Sequence, residues 1–419
     1  MKESKRVSPW RWIPTVYIAE GLPYFAVNTL TVLMYTNLGI SKTEMAFYTG
    51  WLYLPWVIKP FWSPFVDLMR TKRWWILAMQ LLIALTMAGV AFTLPTGIFF
   101  SASLAAFWVM AFASATHDIS ADGYYLLALD ERRQAAFVGV RSTFYRIASV
   151  LGQGGVVMLA GMLEARCDSI ATAWSLTFAL LSGLFLLIFI YHSFSLPRPA
   201  ADRPRHETSA SQIARDFLLT FSTFFKKPGI VAAILYMLLY RLPEALCVKM
   251  IQPFLKDAQA DGGLGLSTTQ IGFVNGTVGV IALLAGGILG GLLISRGGLR
   301  RWMWPMAAAL TLPCGVYCYM AIAQPESLLL INTLIGFEQF GYGFGFSSFM
   351  LYLMHISRGE NATSHYAFCT AFMALGMMLP GMFAGWIFDT VGGYIPFFWL
   401  MLATSLVTFA VTRLAIRRL

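Results

Sequence analysis

Ten charged side chains sit inside strongly apolar stretches of this chain: Glu20, Lys59, Asp118, Asp122, Arg141, Arg146, Arg241, Glu244, Lys249 and Glu338. An ionised group left in hydrocarbon costs at least ~3 kcal/mol even on insertion scales, so such residues pair, face a watery cavity or handle ions. The acids point to proton chemistry. Asp118 and Asp122 stand four residues apart on one helical face, where joint ionisation is disfavoured and one carboxyl can hold an exchangeable proton. Glu20 and Glu338 are the other acids suited to carry a coupling proton; no organic cofactor or metal is expected. His117 borders the aspartate face and titrates near neutral pH if unperturbed, although polar packing is the commoner use of such a residue. The competing reading of the aspartates is a salt bridge to Arg141 or Arg146 in the following span.

The bases point to anion recognition. In Tyr240-Arg241-Leu242-Pro243-Glu244, Arg241 and Glu244 share a helical face, and Lys249 extends it. Pro243 lacks an amide hydrogen and loosens the helix there, and interrupted helices are common beside substrates in the membrane. A mirrored arrangement places Glu20, Tyr24 and Asn28 on one stripe beside Pro23, a charge, an aromatic edge and an amide that suit a sugar or peptide. The competing reading is a static salt bridge such as Glu20 with Arg241. Glu338 and Tyr342 also share a face, among alternating glycines that read as helix packing rather than a nucleotide loop. Lys59, beside Pro60, is expected to snorkel toward headgroups.

Membrane-spanning helices must position these groups. Apolar residues make up 58% of the chain and charged ones 12%, and windows long enough for a ~20-residue spanning helix recur throughout. The expected fold is an all-α integral membrane protein with twelve transmembrane helices. The spans run over residues 12–37, 45–66, 74–95, 102–128, 135–163, 171–193, 229–255, 268–294, 302–323, 327–355, 362–388 and 394–414. The first reads as a retained helix, since no small-residue cleavage site follows it.

Of the 30 Lys and Arg residues, 22 fall in the terminal segments and loops of one side, three (Lys42, Arg166, Lys256) on the other and five within spans. The positive-inside rule then puts both termini in the cytoplasm, at the inner membrane of the cell. The same loops account for the net charge of +10, which faces anionic lipid rather than nucleic acid. Five cysteines, of which only Cys314 and Cys318 are close in sequence, give neither a disulfide framework nor a zinc site.

Between Ser195 and Lys227 the apolar pattern yields to Pro, Ser and basic residues, dividing the chain into an N-terminal six-helix half (1–195), a cytoplasmic linker (196–227) and a C-terminal half (228–419). The halves repeat. Asp67 through Trp74, joining spans two and three, aligns with Ser295 through Trp302, joining spans eight and nine, and Leu22-Pro23 answers Leu242-Pro243. Two such pseudo-symmetric halves resemble the major facilitator superfamily. Asp67, Arg70, Lys72 and Arg73 fit that superfamily's signature loop, which would make Asp67, Arg70 and Arg73 a cytoplasmic gate; simple anchoring of the topology is the alternative. Ser295 replaces the acid in the second copy.

More closely, the chain resembles the AmpG muropeptide permease family, a relative of the acetyl-CoA transporters. The resemblance rests on residues 59–67, Ala115 through Asp122, Leu239-Tyr240-Arg241-Leu242, Gly263 through Ser267, Gly272-Phe273-Val274-Asn275 and Phe337-Glu338. It matches the family's acids to Asp118 and Asp122, its span-five arginine to Arg146, and its span-seven base and acid to Arg241 and Glu244. It implies proton-coupled import of anhydro-muropeptides for peptidoglycan recycling, by alternating access, with no enzymatic step. Glu20, Arg141 and Lys249 stand outside the pattern, and His117 replaces an expected Gln. The substrate-contacting set is therefore Arg241, Glu244, Arg146, Lys249, Arg141, Tyr24, Asn28 and Tyr342. The partners are a sugar-peptide and membrane lipid, and the default assembly is a monomer. The alternatives are a transporter of another amphipathic anion (a nucleotide-thioester, siderophore or drug), a membrane acyltransferase using His117 and Asp122, or a substrate sensor.

Overall fold

The computed structural model describes residues 8–203, 210–359 and 362–417, with all their side chains except those of residues 64, 65, 67, 68, 131, 135, 138, 210, 211, 213, 214, 216, 217, 362 and 363. The terminal cations Lys2, Lys5, Arg6 and Arg418 and the linker residues Pro204, Arg205 and Ser209 lie outside them. Every regular element among the described residues is a helix. Among the described residues, ten helical stretches are long and apolar enough to cross a membrane, from Pro9–Asn37 to Tyr394–Ile416. The other two expected spans are helical but fall short of that measure. The second is split into Lys42–Trp51 and Leu54–Met69. The tenth is one helix, Leu328–Ser357, diluted by Asn332, Glu338, Gln339 and its glycines.

Helix starts carry their caps in the sequence. Thr71 Oγ1 accepts from the Trp74 amide at 3.1 Å and an Asp130 carboxylate oxygen from Arg133 at 2.9 Å. Ser267 and Gln270 form a reciprocal capping box at the start of span eight. Each cap satisfies an otherwise orphaned amide, a contribution of about 1 kcal/mol.

The chain forms two compact units, Met1–Thr31 with Phe61–Ile213, and Val32–Pro60 with Ala214–Leu419. In the first, span three packs on spans four and six, and span one on spans four and five. Glycine makes the last contact close: a Cβ at Gly152 would lie 2.9 Å from the Phe25 Cβ. At this crossing both helices widen into π-turns, Ala26–Leu30 and Leu151–Val156, a distortion frequent at functional sites.

In the second unit, span ten packs on spans eight and nine, and span eleven on span seven and Lys42–Trp51. A methyl at Gly343 would run into the Leu283 carbonyl, so the span-ten glycines set the helix spacing. Span seven breaks where Pro243 predicts. Ile230–Leu239 gives way to Leu242–Lys256, with Pro243 in the first turn of the new segment. The Thr408 hydroxyl donates to the Tyr240 carbonyl at the break, at 3.0 Å, as buried backbone in a membrane requires.

Candidate functional site

In the first unit, spans one and four bring Glu20, Asp118 and Asp122 together, one carboxylate oxygen from each lying within 4.8 Å of the others. Glu20 is buried and the two aspartates are half-buried. Arg141 of span five reaches the group, its Nη2 2.6 Å from Asp122 Oδ1. Two aromatic rings hold the guanidinium in place: it lies 4.8 Å from the Tyr17 centroid and 5.7 Å from that of Tyr125. The Tyr17 hydroxyl also donates to Asp122 Oδ1, at 3.5 Å. Among the described residues, three acids and Arg141 therefore lie close together.

His117 does not join this group. It is fully buried, and the Gln80 amide links it to span six. Gln80 Nε2 donates to His117 Nε2 at 3.0 Å, while Gln80 Oε1 accepts from His192 Nδ1 at 3.0 Å. Thr15 Oγ1 lies 2.8 Å from the far nitrogen of His192, so the chain ties four helices. This is polar packing, and it fixes the rotation of span four about its axis.

In the second unit the helix break presents Arg241. Its Nε and Nη2 donate to the two Glu244 oxygens at 2.7 and 2.6 Å, a bidentate pair within one helical turn. Nη2 also donates to the Tyr342 hydroxyl at 2.8 Å, and the guanidinium lies 4.9 Å from the Phe346 ring centroid. Lys249, 1% exposed, donates to Thr49 Oγ1 at 2.9 Å and faces the Tyr53 ring at 5.6 Å. No carboxylate pairs with it among the described residues, so it does not continue the Arg241–Glu244 pair. Glu338 is buried and accepts at Oε2 from Tyr317 (3.0 Å) and Gln339 (2.9 Å).

The remaining expected residues separate. Asn28 is buried; its Nδ2 donates to the Tyr24 carbonyl at 3.0 Å, and its Oδ1 has no hydrogen-bond partner among the described residues. Tyr24 is half-buried beside Phe25. Arg146 is exposed and forms no ion pair with a described residue. The Asp67 side chain lies outside the described residues. Arg70 is exposed and rests over the Trp74 ring. Arg73 donates to the carbonyls of Ser193 (2.6 Å) and Leu196 (3.1 Å), closing the end of span six.

A family model described as Major Facilitator Superfamily matches residues 15–244. The chain belongs to the Major Facilitator Superfamily. It is a multi-pass membrane transporter, and the superfamily's trade implies a small-molecule substrate and a lipid environment. An uncharacterized protein of Haemophilus influenzae is 23% identical over 398 residues, covering 91% of this chain and 88% of that protein. The anhydromuropeptide permease of Escherichia coli K12 is 25% identical over 382 residues, covering 89% of this chain and 73% of the permease. Among solved structures, a bacterial homolog of the human lysosomal transporter Spinster superposes with a TM-score of 0.74 at 13% identity, covering 99% of this chain and 97% of that one. At that identity the likeness speaks for the superfamily fold alone.

Several residues of this facilitator's interior escaped the sequence. Tyr17 stands three positions before Glu20 on the same stripe, a spacing that could have been read; Gln80, His192, Thr49 and Tyr317 carried no such signal. Lys42, counted above only as a loop cation, pairs with Asp257 at 2.7 Å, and the Tyr394 hydroxyl donates to the same carboxylate oxygen at 2.7 Å. Thr43 donates to Asp389 nearby. Asp202 of the linker accepts from the Lys72 and Arg73 amides at 2.7 and 3.0 Å, capping span three.

Proposed function

We propose that this facilitator imports anhydro-muropeptides across the inner membrane in symport with protons, by alternating access, as a monomer with both termini in the cytoplasm. The observation that carries the reading is the Glu20–Asp118–Asp122 group with Arg141 on Asp122. A proton entering there and Arg141 are two alternative ways to offset a carboxylate charge of the group. Proton and Arg141 thus compete for one oxygen, which gives two states that a gradient can bias. Glu338, held by two hydrogen-bond donors without a described cation, is the second acid able to take part.

Substrate recognition falls to Arg241, Glu244 and Tyr342, with Lys249 behind them. Arg241 Nη1 makes no hydrogen bond to a described residue and can meet a carboxylate of the peptide. Asn28 Oδ1, buried without a partner among the described residues, can accept from a donor such as an amide or sugar hydroxyl. Tyr24, Arg141 and Arg146 supply the remaining contacts, and Asp67, Arg70 and Arg73 the cytoplasmic gate. The likeness to the anhydromuropeptide permease over 89% of the chain supports the cargo.

The test is uptake of labelled anhydro-muropeptide into proteoliposomes under an imposed inward proton gradient. Accumulation that collapses with the gradient is the expected result. Asp122→Asn should abolish accumulation while preserving substrate exchange. Gradient-driven accumulation unchanged by Asp122→Asn would remove this acid from coupling. Uptake of another amphipathic anion without muropeptide uptake would replace the cargo and keep the transporter. Binding without any uptake would favour a sensor.

A further inference from the structure

We infer that a groove among spans eight, nine and ten binds an anionic phospholipid, its acyl chain in the groove and its phosphate on Arg296, Arg300 and Arg301. The groove has a volume of about 420 Å³ and is lined by Leu289, Leu293, Ala308, Leu312, Phe337 and Phe344, among other apolar residues. Its size is that of a small-ligand pocket, but no lining residue offers a sugar or peptide a polar partner. Leu312 and Phe337 are 56% and 60% exposed, so in a membrane protein this surface meets lipid chains.

Two sequence features carve the groove. Span nine tightens into a 3-10 turn at Leu312–Cys314 around Pro313. Opposite, Gly341 lets that turn come close, since a Cβ there would lie 2.8 Å from Pro313 Cγ. Leu293 is the lining residue of span eight nearest in sequence to the loop joining spans eight and nine.

That loop supplies the charge. Leu293 lies one helical turn, about 4.5 Å of rise, before Arg296. Residues 295–302 carry three arginines and no acid, whereas the matching first-half segment begins with Asp67. All three arginines are exposed, and none forms an ion pair with a described residue. Trp302 joins charge to groove, its ring 6.2 Å from that of Phe344. An apolar slot leading to unneutralised guanidinium groups at the end of a span fits one acyl chain with an anionic headgroup.

Native mass spectrometry of the full chain, titrated with phosphatidylglycerol or phosphatidylcholine of identical chains, tests this. Each engaged arginine should lower the dissociation constant for phosphatidylglycerol by about fivefold relative to phosphatidylcholine. Replacing all three (R296Q, R300Q, R301Q) should erase the preference. Leu312→Trp, at an exposed position, should weaken both lipids with the arginines intact; Ala308→Phe provides a second filling variant if the first misfolds. Glycerol phosphate should not compete, which separates a lipid from a free phosphate. Equal affinity for the two lipids, a preference surviving the triple change, or filled-groove variants that fold and bind phosphatidylglycerol undiminished would each overturn the site.

Discussion

The two charge pairs of this transporter differ in what they join. Arg141 and Asp122 link separate helices, spans five and four, with 32% and 38% of their side chains exposed. Arg241 and Glu244 lie three residues apart in one helical turn, with only 11% and 13% exposed. Any movement of span five against span four breaks the first pair; no movement of whole helices breaks the second. The first pair is thus suited to switching and the second to holding a fixed recognition geometry at the break in span seven. Rings reinforce the division. Tyr17 and Tyr125 flank a guanidinium paired between two helices, whereas Tyr342 and Phe346 flank one paired within its own turn.

The comparison breaks first at Glu244. Glu244→Leu leaves a buried guanidinium without its carboxylate, a loss of about 3–5 kcal/mol. The thermal midpoint in detergent should fall sharply, and Arg241→Met in the same chain should recover most of it. If Glu244→Leu alone keeps the wild-type midpoint, the pair is no fixed unit. Arg141→Gln is the counterpart. A pair exposed by about a third contributes at most about 1 kcal/mol, so the midpoint should move little. Gradient-driven uptake should fall at least about tenfold, since an asymmetry of 1.4 kcal/mol between the two states already corresponds to that factor. A large loss of stability with normal coupling would reverse the roles assigned to the two pairs.

The same contrast explains what could be read from the sequence. Arg241 with Glu244 is legible because helical periodicity alone sets an i,i+3 contact, and Pro243 announces the break beside it. Asp118 with Asp122 is legible for the same reason. Which base meets Asp122 was open between Arg141 and Arg146, because both lie on one helix and only the rotation of span five decides. The resemblance matches the family's span-five arginine to Arg146 without assigning it a partner, and packing sets Arg141 on Asp122. His117 was uncertain for a related reason: its partners Gln80 and His192 come from spans three and six, and no local pattern marks them. The apolar windows were legible throughout, but the split of the second span at Leu52-Tyr53 and the π-turns of spans one and five were not. The π-turns of spans one and five lie where Gly152 packs closely on Phe25, a contact between distant parts of the sequence.

Lys249 sharpens the second region next. Its described partners are a neutral hydroxyl and a ring, so its burial as a cation is poorly offset. Lys249→Met keeps the stem and removes the amine, and stability should hold or rise by about 1 kcal/mol, as when other buried charges give way to apolar groups. If Lys249 assists anion recognition, the apparent KM should rise severalfold with the maximal rate nearly kept. A fall in maximal rate at constant KM would instead make it part of the conformational cycle.

The smallest effect is expected at Arg146. It is exposed, has no ion pair among the described residues, and shares a helix with the arginine that packing selected. Arg146→Gln should leave the thermal midpoint unchanged, because substitutions at such positions remove no buried contact. Its proton coupling should also persist, since Arg141 remains on Asp122. The one property left for it to govern is attraction of an anionic cargo, so the apparent KM for a carboxylate-bearing substrate should rise by a few-fold and that for a neutral analogue should not. Loss of coupling in Arg146→Gln with coupling intact in Arg141→Gln would show that the two arginines exchange places during transport. The pair with Asp122 would then be one position of a two-position contact, and the contrast between a switching pair and a fixed pair would extend to span five itself.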